Sequence, residues 1–227
     1  MRPRADVLVG VTVWRLLVAA VAWYGFDQGT GYSQEPPWES HWGWRPLAEL
    51  SQQASLLVVV CYLGFALYPL LLRGRRHEPR RSWLRGALVV TLWLVSVTAI
   101  FVLDNGGQLD RRGFLFEHLI TPIIVTVDFL CVGRGQDALR WWYPLTWATP
   151  ALAYFVALAF TGFRLYGIFD PDDPGQITLV ASAFFAAIIG AGYLCYGLCK
   201  LRAQLLGHGA HVPPIAVPVP AAEQPTR

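Results

Sequence analysis

Six apolar stretches dominate this chain of 227 residues, at 7–26, 52–73, 83–103, 114–132, 144–163 and 177–199. Each meets or approaches the roughly 20 helical residues needed to cross a hydrocarbon core of about 30 Å. That choice of solvent constrains everything else. In lipid every backbone polar group must be satisfied internally, so the expected architecture is an all-α polytopic bundle of six transmembrane helices. A polar side chain inside such a span then needs its own explanation.

Composition agrees. Hydrophobic residues make up 55% of the chain and charged ones 15%, where a soluble domain carries about 25%. The ten Trp and nine Tyr include Trp38, Trp42, Trp44, Trp141, Trp142 and Tyr143 beside span ends, as interfacial belts do. A net charge of +3, with its basic residues clustered beside spans, argues against nucleic acid as a partner. Cys61, Cys131, Cys195 and Cys199 fall in or at the ends of apolar stretches, which reads as buried small residues and not as a secreted disulfide framework. Cys195 and Cys199, spaced i, i+4, make a poor metal site on their own. The basic start and Ala20-Val21-Ala22 imitate a signal peptide, but Arg15 interrupts the apolar region, so an uncleaved first helix is expected.

Basic residues orient the bundle. Arg2 and Arg4 precede the first span, Arg73, Arg75, Arg76, Arg80, Arg81 and Arg85 surround the second gap, and Arg134 and Arg140 occupy the fourth. Lys200 and Arg202 follow the last span, while the remaining gaps are rich in Asp and Glu. Lys and Arg stay on the cytoplasmic side, so both termini are expected there, in a plasma-membrane protein. The domain covers 1–202, and 203–227 reads as a disordered cytoplasmic tail because its Gly, Ala and Pro cannot bury enough surface. Its histidines, His208 and His211, lack further ligands nearby in sequence.

The polar residues within spans carry the functional content. The fourth span contains Phe116-Glu117-His118-Leu119-Ile120-Thr121-Pro122. An imidazole here can act as base, shuttle or ligand, or simply as interhelical glue. Thr121 lies one turn along, and Pro122 frees a backbone carbonyl. Glu49, Ser51, Gln52, Gln53 and Ser55 stand at the entrance of the second span, which reads first as a solvated, capped helix end and alternatively as part of a buried polar layer. The topology allows Ser51, Thr98, His118 and Thr121 to share one outer layer, where a hydroxyl beside an imidazole is the minimum for a nucleophile and its base. Arg15 and Asp128 lie deeper, each costing about 2.5–3.5 kcal/mol on insertion scales. They are expected to form an ion pair or share a wet pocket, with snorkelling of Arg15 as the alternative.

At these residues the chain resembles the bacterial predicted six-transmembrane-helix family, related to the androgen-induced and androgen-dependent membrane proteins of animals. The resemblance lies in Arg15-Leu16-Leu17, in Leu50-Ser51-Gln52-Gln53-Ala54-Ser55-Leu56-Leu57, and in His118, Pro122, Asp128 and Phe129. It continues in Trp142-Tyr143-Pro144-Leu145 and in Thr161-Gly162, Tyr166 and Asp170. The animal relatives are threonine hydrolases of fatty acid esters of hydroxy fatty acids. The resemblance therefore implies Ser51 as nucleophile and His118 as base; Gln52, Ser55, Thr98, Thr121 and Tyr166 are the candidates for the surrounding pocket. Ser51 stands where Thr is usual, Ser55 where Asn is common, and Ala157 where an Arg often occurs.

The expected function is thus hydrolysis of lipid esters within the membrane, with membrane lipids and an acyl ester as partners. The alternative is a non-enzymatic protein that binds or transports a lipid or small molecule. Pro69, Pro122 and Pro150 do not form the paired helix breaks common in transporters. Neither a cofactor nor a metal is expected: there is no Cys-x-x-Cys-His, and His118 is the only histidine within a span.

Overall fold

The computed structural model describes residues 5–39, 41, 43–72, 78–79, 82–103, 109–133, 136, 138–161 and 174–205. Among them the chain is helical, with no strand. Among the described residues five helices are long and apolar enough to cross a bilayer: α1 Ala5–Thr30, α2 Leu50–Leu71, α3 Trp83–Leu103, α4 Arg112–Val132, and α7 over Thr178–Leu205. The full α7 spans Pro174–Leu205. It therefore carries three residues of the expected tail as helix; residues 206–227 lie outside the described residues.

The stretch expected as one helix over 144–163 is instead two, α5 Tyr143–Trp147 and α6 Thr149–Thr161. Pro150 explains the break. It has no N–H to return to Thr146, and the Thr149 hydroxyl donates to that carbonyl instead, at 2.6 Å.

Other helix ends have equally local causes. Gly31 closes α1 at φ 72, with its N–H on Asp27 O at 2.7 Å, the left-handed exit that glycine supplies at no steric cost. Arg202 of α7 donates to Cys131 O and Gly133 O at 3.0 and 3.1 Å, satisfying carbonyls that the end of α4 leaves without amides.

Apolar side chains lie both inside, in a core around Val18, Val58, Tyr62, Val89, Phe129 and Trp147, and on the exterior. Val9, Val13, Leu67, Leu70, Leu194 and Leu201 face outward, while Arg15, Gln52, Arg85, Glu117 and Asp128 are buried. Such a surface suits hydrocarbon as solvent and confines polar groups to the interior. Helix α1 packs on α2 and α4, and α3 packs on α2, α4, α5 and α7. Cys195 and Cys199 are buried as expected, whereas Cys131 is exposed.

Helix α4 is irregular where its polar residues sit. It widens to π-helix at Phe116–Ile120 and again at Asp128–Val132. Pro122 accounts for the first widening by withholding an amide just after the turn. The Thr121 N–H returns to Phe116 O, five residues back. π turns of this kind occur often at functional sites.

Candidate functional site

Two polar layers lie at opposite ends of α4. The first is built on Glu117, which is buried and bound from α2: Gln52 Nε2 donates to Oε2 at 3.0 Å, and Ser55 Oγ donates to Oε1 at 3.3 Å. Helix α1 comes close enough to enclose it through Gly25 and Gly29. A Cβ on Gly29 would stand 2.5 Å from Gln52 Nε2 and 2.8 Å from Glu117 Oε2. This Gly-x-x-x-Gly pair lets the helices approach closely, as small residues do between spans.

The expected catalytic residues flank this carboxylate. His118 follows Glu117 in the same π turn, buried, with its ring 4.4 Å from that of Phe114. Its Nδ1 has no hydrogen-bond partner among the described residues. Ser51 is buried in the first turn of α2, one residue before Gln52 and one turn before Ser55. No hydrogen bond joins Ser51 to His118 among the described residues, although α2 packs on the π turn that carries His118.

Thr121 is fully buried, and its hydroxyl is also without a partner. Thr98 is half-buried where α3 turns π-helical and hydrogen-bonds to none of these side chains. Tyr166 lies outside the described residues. Tyr154 of α6 donates to Ala48 O at 3.0 Å, which brings α6 to the entrance of α2.

The second layer is fully ionic. Asp128 accepts from Trp14 Nε1 at 3.0 Å, from Tyr62 OH at 2.9 Å and from Arg85 at 3.0 Å. Arg85 also pairs with Glu78 at 2.7 Å, and Glu78 pairs with Arg15 at 3.1 Å. The expected association of Arg15 with Asp128 therefore takes the form of a four-residue network. Glu78 and Arg85 stand between the two, and Arg15 binds Glu78 and Phe65 O without snorkelling. Arg85, counted above with the basic loop residues, is withdrawn from water because both its partners are buried. Each guanidinium also stacks over a ring, Arg15 on Phe65 and Arg85 on Phe129. Gln136 Nε2 donates to Phe129 O beneath them.

Sequence reasoning missed Glu117, Glu78, Arg85 and the glycine pair. A signal for Glu117 was present: it is an acid inside an apolar stretch, the same ground on which Asp128 was singled out. Glu78 gave none, sitting among arginines in a short loop. No group of three or more His, Cys, Asp or Glu side chains able to hold a metal occurs among the described residues.

No family model, curated protein or solved structure matches the chain.

Proposed function

We propose that this chain is a multi-pass plasma-membrane protein, with both termini cytoplasmic, that hydrolyses lipid esters at its Glu117 end. The observation that carries this is the buried His118 imidazole with an unpartnered Nδ1, on a π turn packed against the helix entrance that buries Ser51. The resemblance of Leu50–Leu57 and of His118 and Pro122 to the motifs of the six-transmembrane-helix family is the second ground for proposing the same two residues.

In the first step Ser51 Oγ attacks the ester carbonyl carbon while its proton passes to His118. The tetrahedral oxyanion needs a donor. Gln52 Nε2 is already engaged by Glu117, which favours the Thr98 hydroxyl for that role. Collapse breaks the bond to the alcohol oxygen, and His118 returns its proton to that leaving group. Water then attacks the acyl-Ser51 ester with His118 again as base, releasing the fatty acid and regenerating the hydroxyl. Contacts between nucleophile and base commonly tighten only around substrate.

The test is turnover of fluorescent fatty-acyl esters by purified protein in lipid nanodiscs. Ser51→Ala and His118→Ala should each lower the rate by about 100-fold or more. Unchanged turnover in both variants would sink the proposal.

A further inference from the structure

Helix α7 carries two thiols that neither polar layer uses. Cys195 and Cys199 are both fully buried, stand one turn apart on α7, and meet thiol to thiol. Residues one turn apart on a helix hold their Cβ atoms about 5–6 Å apart, whereas a disulfide needs about 3.5–4.5 Å. The pair is therefore too widely held to form a disulfide without distorting the turn. It suits a bridging ion instead, because two metal–thiolate bonds of about 2.3 Å set end to end reach across such a gap.

The surroundings favour a negative charge at these sulfurs. The charges acting on Cys199 are those of Arg202, Arg85 and Lys200, all positive. Arg85 and Arg202 converge on Gly133 at the end of α4. A Cβ there would strike the Arg85 guanidinium, and Arg202 donates to the Gly133 carbonyl at 3.1 Å. Within the ionic layer Arg15 and Arg85 are balanced by Glu78 and Asp128. Arg202 instead binds two neutral carbonyls, Gly133 O and Cys131 O, and no carboxylate pairs with it among the described residues. Two buried sulfurs thus lie beside a positive charge that no acid balances.

We propose that Cys195 and Cys199 bind one copper(I) ion, held linearly between their two sulfurs. Soft thiolates select this soft ion, and it is satisfied by two ligands, where zinc takes four. Two thiols are too few for zinc and a complete set for copper(I). On binding, each sulfur exchanges its proton for a bond to the ion, two protons pass to water, and no electron is transferred. The resulting bis-thiolate unit carries a net charge of −1, which Arg202 balances. Burial keeps water from becoming a third ligand.

The test measures metal content and needs no turnover, so it stands apart from the hydrolase proposal. Full-length protein in lipid nanodiscs is loaded with copper(I) under ascorbate without oxygen, then dialysed against the competing chelator bicinchoninate. The chain has four cysteines, so Cys61→Ser/Cys131→Ser leaves only the α7 pair. That variant should retain one copper per chain, and X-ray absorption should show two sulfur neighbours with no nitrogen or oxygen. Adding Cys195→Ser or Cys199→Ser to it should abolish retention. Arg202→Gln, which keeps both sulfurs, should weaken binding about ten-fold, and raising the pH should tighten it as the competing protons leave. If the added serine variants fail to fold, the X-ray absorption of Cys61→Ser/Cys131→Ser and the shift in Arg202→Gln carry the comparison. Loss of copper from Cys61→Ser/Cys131→Ser, retention after Cys199→Ser, or a copper ion with three or more sulfur neighbours would overturn the site.

Discussion

The two polar layers of α4 bury carboxylates in opposite ways. At the Asp128 end, Arg15 and Arg85 face Glu78 and Asp128, and Tyr62 and Trp14 complete the donors around Asp128. At the Glu117 end, a carboxylate is held only by an amide and a hydroxyl, and Gln52 Oε1, His118 Nδ1 and Thr121 Oγ1 lie unpartnered nearby. A buried charge is tolerated when it is paired and its remaining hydrogen bonds are made. The Asp128 layer pairs its charges within the protein, although Arg15 Nε and Arg85 Nε lack hydrogen-bond partners among the described residues, and so serves to hold α1, α2, α3 and α4 together. The Glu117 layer pairs no charge among the described residues, and unsatisfied buried polar groups mark places where something else can bind or react.

The largest effect should come from breaking the compensated layer. Asp128→Ala leaves Arg85, Tyr62 and Trp14 facing an apolar gap. Removing one partner of a buried pair costs about 3–5 kcal/mol. Reversible unfolding in nanodiscs or mixed micelles should show that loss. A cost below about 1 kcal/mol would mean that water reaches this layer, and the contrast between the ends would fail.

Next in size is Gly29→Ala. Its Cβ would press on both Gln52 Nε2 and Glu117 Oε2, so either α1 moves away or the two hydrogen bonds to Glu117 are lost. Overpacking of this kind costs about 1–3 kcal/mol. Gly10→Ala, where a Cβ would meet nothing within 4 Å, is the control and should melt at or slightly above the parent protein, because Ala favours the helix over Gly.

How much of this was legible in the sequence follows from what hydropathy can and cannot report. Span 83–103 agrees with Trp83–Leu103 at both ends, because a long apolar run bounded by charge has one helical solution in lipid. The stretch 144–163 did not, because average hydropathy is blind to the missing amide of Pro150. Arg15, His118 and Asp128 were expected inside the bundle from polarity within spans and are buried, whereas Ser51 and Gln52, which read first as a solvated helix end, are buried as well. The partners were not expected, since Arg15 meets Glu78 across 63 residues and Glu117 meets Gln52 across 65, and such pairings depend on how helices rotate and cross. The π turns were also hidden, apart from the proline that helps cause the first.

Glu117→Gln sharpens the comparison at lower cost. With neutral donors around it, the amide can keep the bond from Gln52 and accept or donate toward Ser55. The stability should therefore stay within about 1 kcal/mol of the parent, several-fold less than the loss in Asp128→Ala. If instead the two substitutions cost the same, Glu117 has a cationic partner and the layers are alike.

The smallest effect concerns Glu49, which precedes α2 at the same end without capping it through its side chain. Burial raises its carboxyl above the ordinary 4.5, with Arg45 opposing that shift. A carboxyl raised in the folded state binds its proton more tightly there than in the unfolded chain. Stability must then fall as pH climbs from 4.5 through the raised value, and above it the deficit is constant. Glu49→Gln should remove that fall and slightly raise the melting temperature at pH 7, with no difference from the parent below pH 4. A lower melting temperature at pH 7 would mean that attraction from Arg45 outweighs burial. The negative charge closest in effect to Glu117 would then itself be compensated, and the asymmetry between the two ends of α4 would narrow to Glu117 alone.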